Sequence, residues 1–373
     1  MKYLRILAAY AAQPLAMQRE KIEAITAFLV EQSNGVKFSA TEIEARTIGK
    51  REAAGVAKSD GNVAVLPIYG VLSHRMSGME DISGGTSYES LSKSLRGLLA
   101  DEGVKAIVLD IDSPGGVTRG LSEFAAELRS ARGIKPIIAQ VTGNAASAAY
   151  WIAAQADEIV VSPSAEVGSI GVYTSHDDVS EALAKAGIKK TYISAGKFKV
   201  EGNQTAPLSD DTRAYIQESV DSEYAKFVAD VATGRGRDAS SVEAKFGQGR
   251  MVMAEDAVKR GMADRIGTLD DTLERFGVST RPEILRNHVA AKEAQSKASA
   301  TWLSKVKAGE TPTVRETERY FKGLEGFSNS EAERAARAWH KENGSREADT
   351  EADARVAAAI KLLSAELAAF TKE

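Results

Sequence analysis

The sequence has 373 residues, enough for one large domain with an appendage or for two domains. Its apolar share of 43 % is ordinary for a chain that buries a core, and its net charge of −4 provides no positive field to attract nucleic acid. Cysteine is absent, which excludes disulfides, thiolate nucleophiles and Cys-based metal sites. Because the four histidines are also far apart in sequence, we expect neither a metal nor a cofactor.

The beginning of the chain, MKYLRILAAYAAQPLAM, combines two cations with a short apolar run, as a weak secretory signal would. The apolar stretch is at the minimum length for such a signal, and the following residues continue as an amphipathic helix, so residues 1–35 are predicted to be helical. No stretch approaches the roughly 20 apolar residues of a membrane-spanning helix. The sequence therefore predicts a cytoplasmic protein with no membrane partner.

From residue 61 onward, short apolar strands alternate with helices. The predicted strands are 63–72, 106–112, 136–141, 158–163, 169–174 and 189–194. The predicted helices between them are 87–101, one over about 118–132, one that begins at Ser147 and one near 177–187. This alternation predicts an α/β domain with largely parallel pairing, closed near residue 278 after a long helix that Ser209 caps.

The composition changes near residue 285, with more charge, more alanine and few strand signals. Thr313 with Glu316 and Ser328 with Glu331 fit capping boxes, which predicts a small two-helix module. In the last predicted helix, apolar residues recur at spacings that could pair with another helix; they are Val356, Ile360, Leu363, Leu367 and Phe370. The predicted organisation is an N-terminal helix and connection at 1–60, the α/β domain at 61–278 and a helical extension at 285–373.

The run GNAASAAYWIAAQ places Ser147 after an apolar strand and at the start of a helix. Free N–H groups and the positive end of the helix dipole favour developing negative charge there, and the small neighbours leave room for a peptide. An acyl-transfer enzyme needs such an exposed nucleophile, together with a base and oxyanion donors. By itself the pattern is more typical of a helix cap or a packing residue.

A second element is the run LDIDSPGG, in which Gly115 and Gly116 follow a buried strand. Adjacent glycines expose backbone N–H groups and accept positive φ, which suits an oxyanion hole or the pairing of an extended substrate strand. A simple strand-to-helix turn would have the same pattern.

The base is the third element. Lys197 and Lys199 follow a predicted strand, but a lysine accepts a proton only when it is neutral, and two lysines so close together usually mark a solvated surface. His176 with Asp177 or Asp178 would formally complete a Ser-His-Asp triad, although these residues are more typical of a polar helix start.

Several ordered motifs together resemble the signal peptide peptidase A family of serine peptidases, and within it the capsid (prohead) maturation proteases of tailed phages. They span residues 61–270 and are VLPIYGVL, GGTSYESLSKSL, AIVLDIDSPGG, GNAASAAYWIAAQADEIVVSPSAEVGSIGVY, ISAGKFK and GRMVMAEDAVKRGMADRIG. The resemblance implies that Ser147 is the nucleophile, that Lys199 is the general base and that Ser169 orients the lysine. Lys197 falls on a variable position of the family pattern and receives no role.

For the oxyanion hole, the resemblance implies backbone N–H groups of Gly115 and Gly116, with that of Ala148 as a further donor. The family often has glycines where Ala148 and Ala149 stand in this chain. The implied fold is the Clp protease/crotonase-like spiral of ββα units, and family members form ring-like homo-oligomers in which serine and lysine can come from neighbouring subunits.

The implied function is a serine endopeptidase with a Ser-Lys dyad that cleaves capsid or scaffold proteins and itself during prohead assembly, in the host cytoplasm. One alternative keeps the chemistry in a cytoplasmic protease that degrades peptides such as leftover signal peptides. Another is a non-proteolytic scaffold or interaction protein. The helical, charged, low-aromatic composition of the C-terminal extension suits a scaffold, and the alternative is a flexible tail with no role of its own. A crotonase-like acyl-CoA enzyme would leave Ser147 and Lys199 without a purpose.

Overall fold

The computed structural model describes residues 14–33, 57–58, 62–75, 85–278, 283–323 and 329–344. Contacts between residues divide the chain into two units, Met1–Thr280 and Arg281–Glu373. The predicted helical seam from Val356 to Phe370 and the predicted cap at Ser328 lie outside the described residues.

The described part of the first unit alternates strands and helices, as predicted. Its strands are β1 Leu15–Met17, β2 Ala57–Lys58, β3 Val63–Tyr69, β4 Val71–Ser73, β5 Gly85–Ser87, β6 Ala106–Ser113, β7 Gly115–Val117, β8 Ile137–Ala146, β9 Glu158–Val161, β10 Glu166–Gly168, β11 Met251–Met253 and β12 Arg265–Ile266. Its helices are α1 Arg19–Ser33, α2 Tyr88–Ala100, α3 Leu121–Ser130, α4 Ala148–Ala153, α5 Ser180–Lys185, α6 Asp210–Arg235, α7 Ala239–Lys245, α8 Ala254–Arg260 and α9 Leu269–Glu274.

The larger sheet is built around three parallel strands, with β6 between β3 and β8. β8 is long enough to pair twice on its other side: its first half runs parallel to β9 and its second half runs parallel to β10. β12 pairs parallel with β9. At the two ends of the strand order, β2 pairs antiparallel with β3 and β11 pairs antiparallel with β10. A smaller sheet has the order β1-β7-β4-β5. The predicted α/β class with mainly parallel pairing is confirmed.

β6 and the first half of β8 are nearly continuous apolar runs because helices and loops cover both of their faces. α2 buries Leu91, Leu95 and Leu98, whose spacing of four and three places them on one helix face. Ser87 caps that helix by accepting a hydrogen bond from the Ser90 N–H. One face of these strands and the apolar face of α2 belong to the main apolar core, in which α4 is buried at every position. On the other face of the strands, Val108 and Ile138 belong to a second apolar cluster with Leu273 of α9.

α4 is held against the long helix α6. Trp151 stacks on Phe227 with ring centroids 4.5 Å apart, and the Trp151 Nε1 donates to the Asp230 carboxylate at 2.9 Å. One turn later, Gly234 lies so close to Ala154 that a Cβ at position 234 would clash with the Ala154 carbonyl. The sequence predicted α6 and its Ser209 cap, and both are confirmed, since the Ser209 hydroxyl accepts from the Thr212 N–H.

Three predicted elements differ from the structure. Residues 15–17 form a strand, so the prediction of helix throughout 1–35 is wrong there; Pro14 and the pairing of β1 explain the difference. The strand predicted at 169–174 is reduced to one bridge at Tyr173, and the paired strand is β10 just before it. Residues 189–194 are irregular and exposed, because the described part of the chain offers that apolar run no strand to pair with.

The second unit contains α10 Glu283–Lys307, α11 Val314–Lys322 and α12 Asn329–Gly344 among its described residues. The two predicted helices correspond to α11 and α12, and α10 adds Trp302 to their core. Thr313 and Glu316 form the predicted capping box at the start of α11. The core is aromatic: Trp302 stacks on Tyr320 at 4.1 Å and meets Trp339 edge-on at 5.4 Å. Within the described ranges, none of the helices of either unit has the length and apolar character needed to cross a membrane.

Candidate active site

Ser147 occupies the turn between β8 and α4. Its backbone has φ 55° and ψ −116°, a conformation that costs a non-glycine residue energy and persists only where the surroundings enforce it. The Ser147 N–H donates to the Gly168 carbonyl at 2.7 Å, and its carbonyl accepts from the Trp151 N–H at 3.0 Å. The strained turn is therefore anchored on both sides, by β10 and by the first turn of α4.

Ser169 lies directly beside this turn. β8 and β10 run parallel with Ala146 opposite Gly168, so Ser147 and Ser169 are the next residues of two paired strands. Ser169 also has a positive φ of 53°, and its N–H donates to the Arg250 carbonyl at 2.9 Å. The structure thus brings together two of the residues that the sequence selected, 22 positions apart in the chain, through strand pairing alone.

The glycine loop packs against the same turn. Gly115 has φ +97°, and a Cβ placed there would clash with the Ala16 carbonyl and lie 2.9 Å from the Ala146 carbonyl and 3.0 Å from the Ser147 Cβ. A Cβ at Gly116 would clash with the Leu72 carbonyl. Only glycine fits either position, because the backbone itself occupies the space that a side chain would need.

Ala148 completes the predicted oxyanion group. It is the first residue of α4 and is fully buried, and helix geometry leaves the N–H groups of a first turn without intrahelical partners. Gly115, Ser147 and Ala148 therefore lie side by side at one end of β8.

Lys199 lies in a different environment. Its side chain is exposed in a turn where its N–H donates to the Gly196 carbonyl at 3.1 Å. The Ser147 hydroxyl instead donates to the Gly171 carbonyl at 3.4 Å. Among the described residues, no hydrogen bond joins Lys199 to Ser147 in this chain.

His176, the alternative base, is held elsewhere. Its Nε2 lies 3.1 Å from the Asn203 carbonyl. The Asp178 carboxylate accepts from the Ser180 N–H at 2.9 Å, and hydrogen bonds to Ser180 lower the pKa of Asp178. Within the part of the chain that the structure describes, no hydrogen bond links His176 to Ser147, so its geometry does not form a Ser-His-Asp triad.

Sequence reasoning missed the groups that hold the glycine loop. The Ser113 hydroxyl donates to the Gly70 carbonyl at 2.6 Å and accepts from the Gly115 N–H at 3.2 Å. Nearby, the Asp112 carboxylate accepts from the Asn144 N–H at 3.1 Å, which ties the end of β6 to β8. The only sequence signal was that both residues precede the adjacent glycines, which does not specify their partners.

Tyr173 was also missed. Its ring is half-buried, while its hydroxyl is fully buried and has no hydrogen-bond partner among the described residues. Burial raises the pKa of Tyr173 to about 12, and the nearby carboxylates of Glu20 and Glu23 add to the shift.

Comparison with known proteins assigns this part of the chain to a family. Residues 129–279, which contain Ser147, Ser169 and Lys199, match the family model described as Peptidase family S49. The chain therefore carries a domain of peptidase family S49, and the predicted relationship to serine peptidases of the signal peptide peptidase A type is confirmed.

Individual relatives make the relationship more specific. The head-tail preconnector protein GP5 of Enterobacteria phage P21 is 32 % identical over 273 residues, which cover 70 % of this chain and 54 % of the relative. Capsid assembly protease C of Escherichia phage lambda is 31 % identical over 250 residues, covering 66 % and 56 %. Protease 4 of Salmonella typhi is 32 % identical over 220 residues, covering 59 % and 35 %. The chain thus spans about half the length of the two phage relatives.

Proposed function

We propose that this chain is a serine endopeptidase that uses Ser147 as its nucleophile. The observation that carries the proposal is the strained Ser147 turn, packed directly against the Gly115 loop inside a peptidase family S49 domain. Strain of this kind clusters at sites where a side chain must be presented in one orientation. A structural cap would need neither the positive φ nor the contact with a glycine loop.

In the proposed reaction, Lys199 takes the proton from Ser147 Oγ as the oxygen attacks a peptide carbonyl carbon. Backbone N–H groups of Gly116 and Ala148 stabilise the developing oxyanion, together with that of Gly115 once it is released from the Ser113 hydroxyl. The ammonium group of Lys199 then protonates the departing amine, and water hydrolyses the acyl-enzyme. Ser169 acts as a positioning residue by orienting the lysine amine.

The exposed Lys199 supports a site that is completed by a second subunit. A lysine can serve as a base only where desolvation or positive charge favours its neutral form, and a second subunit that covers the exposed Lys199 would provide the desolvation. The segment around Lys199 also exposes large apolar groups: Ile193 is 98 % exposed, Phe198 59 % and Ile188 54 %. Apolar surface of this kind marks contact sites, so we infer a homo-oligomer, ring-like in arrangement, with the Clp protease/crotonase-like spiral in each subunit.

For the biological substrates, the phage relatives favour proteins of the assembling head. The lambda relative is named a capsid assembly protease, and the P21 relative is named a head-tail preconnector protein. We therefore propose that this chain cleaves capsid or scaffold proteins, and itself, within a prohead in the host cytoplasm. Its helical second unit would serve as a scaffold-like region.

The alternative is a peptidase that degrades free peptides, and its support is the similarity to Protease 4 over 59 % of this chain. The two proposals share the same chemistry and differ in the substrate. Incubation with purified head proteins and with free signal-peptide sequences, followed by mass spectrometry of the products, distinguishes them.

The nucleophile and the base are tested with three alanine variants. Ser147→Ala should lower the rate of peptide cleavage by about 10⁶-fold, and Lys199→Ala by about 10²- to 10⁴-fold. Lys197→Ala is the matched control, since it removes an exposed lysine two positions away and should leave the rate unchanged. Mass spectrometry of new termini provides the measurement. Full activity in Lys199→Ala would refute the dyad, and full activity in Ser147→Ala would refute the nucleophile.

A further inference from the structure

β1 lies antiparallel to the glycine loop. Ala16 is opposite Gly116, with Leu15 opposite Val117 and Met17 opposite Gly115. At one end of this pairing, the Gln18 N–H donates to the Pro114 carbonyl at 2.9 Å, and at the other end the Thr118 N–H donates to the Pro14 carbonyl at 3.4 Å. Because hydrogen-bonded pairs alternate along an antiparallel ladder, Ala16 and Gly116 also form a hydrogen-bonded pair. Residues 14–18, called the cis strand below, therefore add a strand to the loop that is proposed to hold the oxyanion.

The other edge of the cis strand is also paired. The Leu15 N–H donates to the Tyr173 carbonyl at 2.9 Å, and the Tyr173 N–H donates to the Leu15 carbonyl at 3.1 Å. Tyr173 follows Ser169 in the chain, and the intervening Gly171 carbonyl accepts the Ser147 hydroxyl. The cis strand thus fills a groove between the glycine loop and the segment of Tyr173. Both of these segments contact Ser147 or lie next to residues that do.

The cis strand also reaches the nucleophile itself. A Cβ placed on Gly115 would meet both the Ala16 carbonyl and the Ser147 Cβ. The Ala16 carbonyl and the Ser147 side chain therefore lie close together, both beside Gly115. Ser147 is only 1 % exposed. An extended peptide that presented a carbonyl to Ser147 by pairing with Gly116 and Tyr173 would need the space that the cis strand now takes.

We propose that the cis strand is an intramolecular ligand of the substrate groove, which must leave before another peptide can reach Ser147. The inference rests on the proposed function, because it assigns the groove to that same nucleophile. It also names the substrate class: extended segments with a small residue between two apolar ones. In the cis strand, Leu15 and Met17 point to one side and are buried, while Ala16 points to the other with no space around it.

A reversible cross-link provides the test. Leu15 and Val117 form a non-hydrogen-bonded pair, in which Cα atoms are about 4.5 Å apart, within the range that a disulfide spans. Since the natural chain has no cysteine, the full-length double variant Leu15→Cys/Val117→Cys would contain a single thiol pair. Mass spectrometry establishes whether that pair is oxidised or reduced.

Binding is measured first, in this double variant with Ser147→Ala added. The probe is a fluorescent peptide of sequence PLAMQRE, which is residues 14–20. We expect the reduced protein to bind the peptide and the oxidised protein to bind it at least tenfold more weakly. Equal affinity in the two states, or no binding in either, would overturn the proposal. Leu15→Cys with Ser147→Ala is the matched control, and its affinity should not depend on the redox state.

Cleavage is measured second, with Ser147 present, on the unlabelled form of the same peptide. Cleavage that stops on oxidation and returns on reduction supports both proposals. Equal cleavage in the two states overturns the inhibitory role of the cis strand while the peptidase assignment stands. Redox-dependent binding with no cleavage in either state overturns the peptidase assignment while the groove and its ligand stand.

Discussion

The turn around Ser147 and the segment around Lys199 belong to the same family S49 domain, yet they are built in opposite ways. Ser147 is 1 % exposed, has a strained backbone and is anchored by β10, α4 and the glycine loop. The Lys199 segment is irregular, and Ile193 within it is 98 % exposed. The proposed nucleophile is thus held in place by contacts within one chain, while the proposed base is exposed to solvent.

This difference has a physical cause. Strain at a turn persists only when many contacts enforce it, so the nucleophile belongs in a core. A lysine that must be neutral during the reaction is costly to bury permanently. In the proposed oligomer, an exposed segment would postpone that cost until a second subunit covers both the amine and its apolar neighbours.

The largest effect should come from mixing two inactive variants. Ser147→Ala and Lys199→Ala should each lose about 10²-fold or more of the cleavage rate when assayed alone. If the dyad forms across a subunit boundary, co-expression in equal amounts should restore about one quarter of the sites, because those sites combine an intact serine with an intact lysine. The rate of peptide cleavage by the co-purified mixture is the measurement.

The control is co-expression of Ser147→Ala with Lys197→Ala. The Lys197→Ala chain keeps both Ser147 and Lys199, so this mixture should be active whether the dyad forms within one subunit or between two. Failure of the first mixture to recover, with full oligomerisation shown by light scattering, would place both members of the dyad in one subunit.

A smaller effect should follow from crowding the support of the Ser147 helix. Gly234→Ala would force a Cβ against the Ala154 carbonyl, at the end of α4, and overpacking of this kind costs about 3 kcal/mol. Gly97→Ala is the matched control, since it also replaces a helical glycine but meets nothing within 4 Å. It should stabilise the protein by about 0.5–1 kcal/mol. Denaturant unfolding of the three proteins measures both effects, and equal shifts would contradict the close approach of α6 to α4.

The smallest expected effect concerns the ion pair behind the site. Arg235 donates two hydrogen bonds to the Asp264 carboxylate, at 2.6 and 2.9 Å, and the Ile159 N–H donates a third at 2.7 Å. Burial opposes ionisation, but these hydrogen bonds outweigh it and lower the pKa of Asp264. Asp264→Asn should cost about 2 kcal/mol at neutral pH.

The pH dependence follows from the direction of that shift. Because the pKa of Asp264 is lower in the folded protein, its stabilisation is present above the ordinary aspartate value of 3.8 and is lost as the pH falls through the folded-state value. The free energy of unfolding should therefore fall less steeply below pH 4 in Asp264→Asn than in the natural chain. The exposed pair of Asp256 and Lys259 is the control, and Asp256→Asn should change stability by about 0.5 kcal/mol or less.

Sequence patterns predicted much of the domain because its signals are local. The apolar runs of β6 and β8, the Ser209 cap and the Thr313–Glu316 capping box all specify structure from neighbouring residues. The strand predicted at 189–194 failed for the opposite reason, since a strand needs a partner and sequence composition does not supply one.

The candidate site divides in the same way. Ser147, Ser169 and the two glycines could be selected from their motifs, because each needs a particular residue type at a particular position in the chain. The contacts of these residues could not be predicted from the motifs. The partners of the Gly115 loop are Ala16 and Ser113, which come from separate strands. The role of Lys199 remains a prediction from the sequence.

The sequence by itself determined which residues have the chemistry for peptide hydrolysis and which segments become strands and helices, because side-chain type and apolar spacing act over short distances. Only the tertiary structure decided that β1 lies between the glycine loop and Tyr173, and that Ser147 has a positive φ. Both depend on contacts between segments distant in the chain, and such contacts arise only when the core packs.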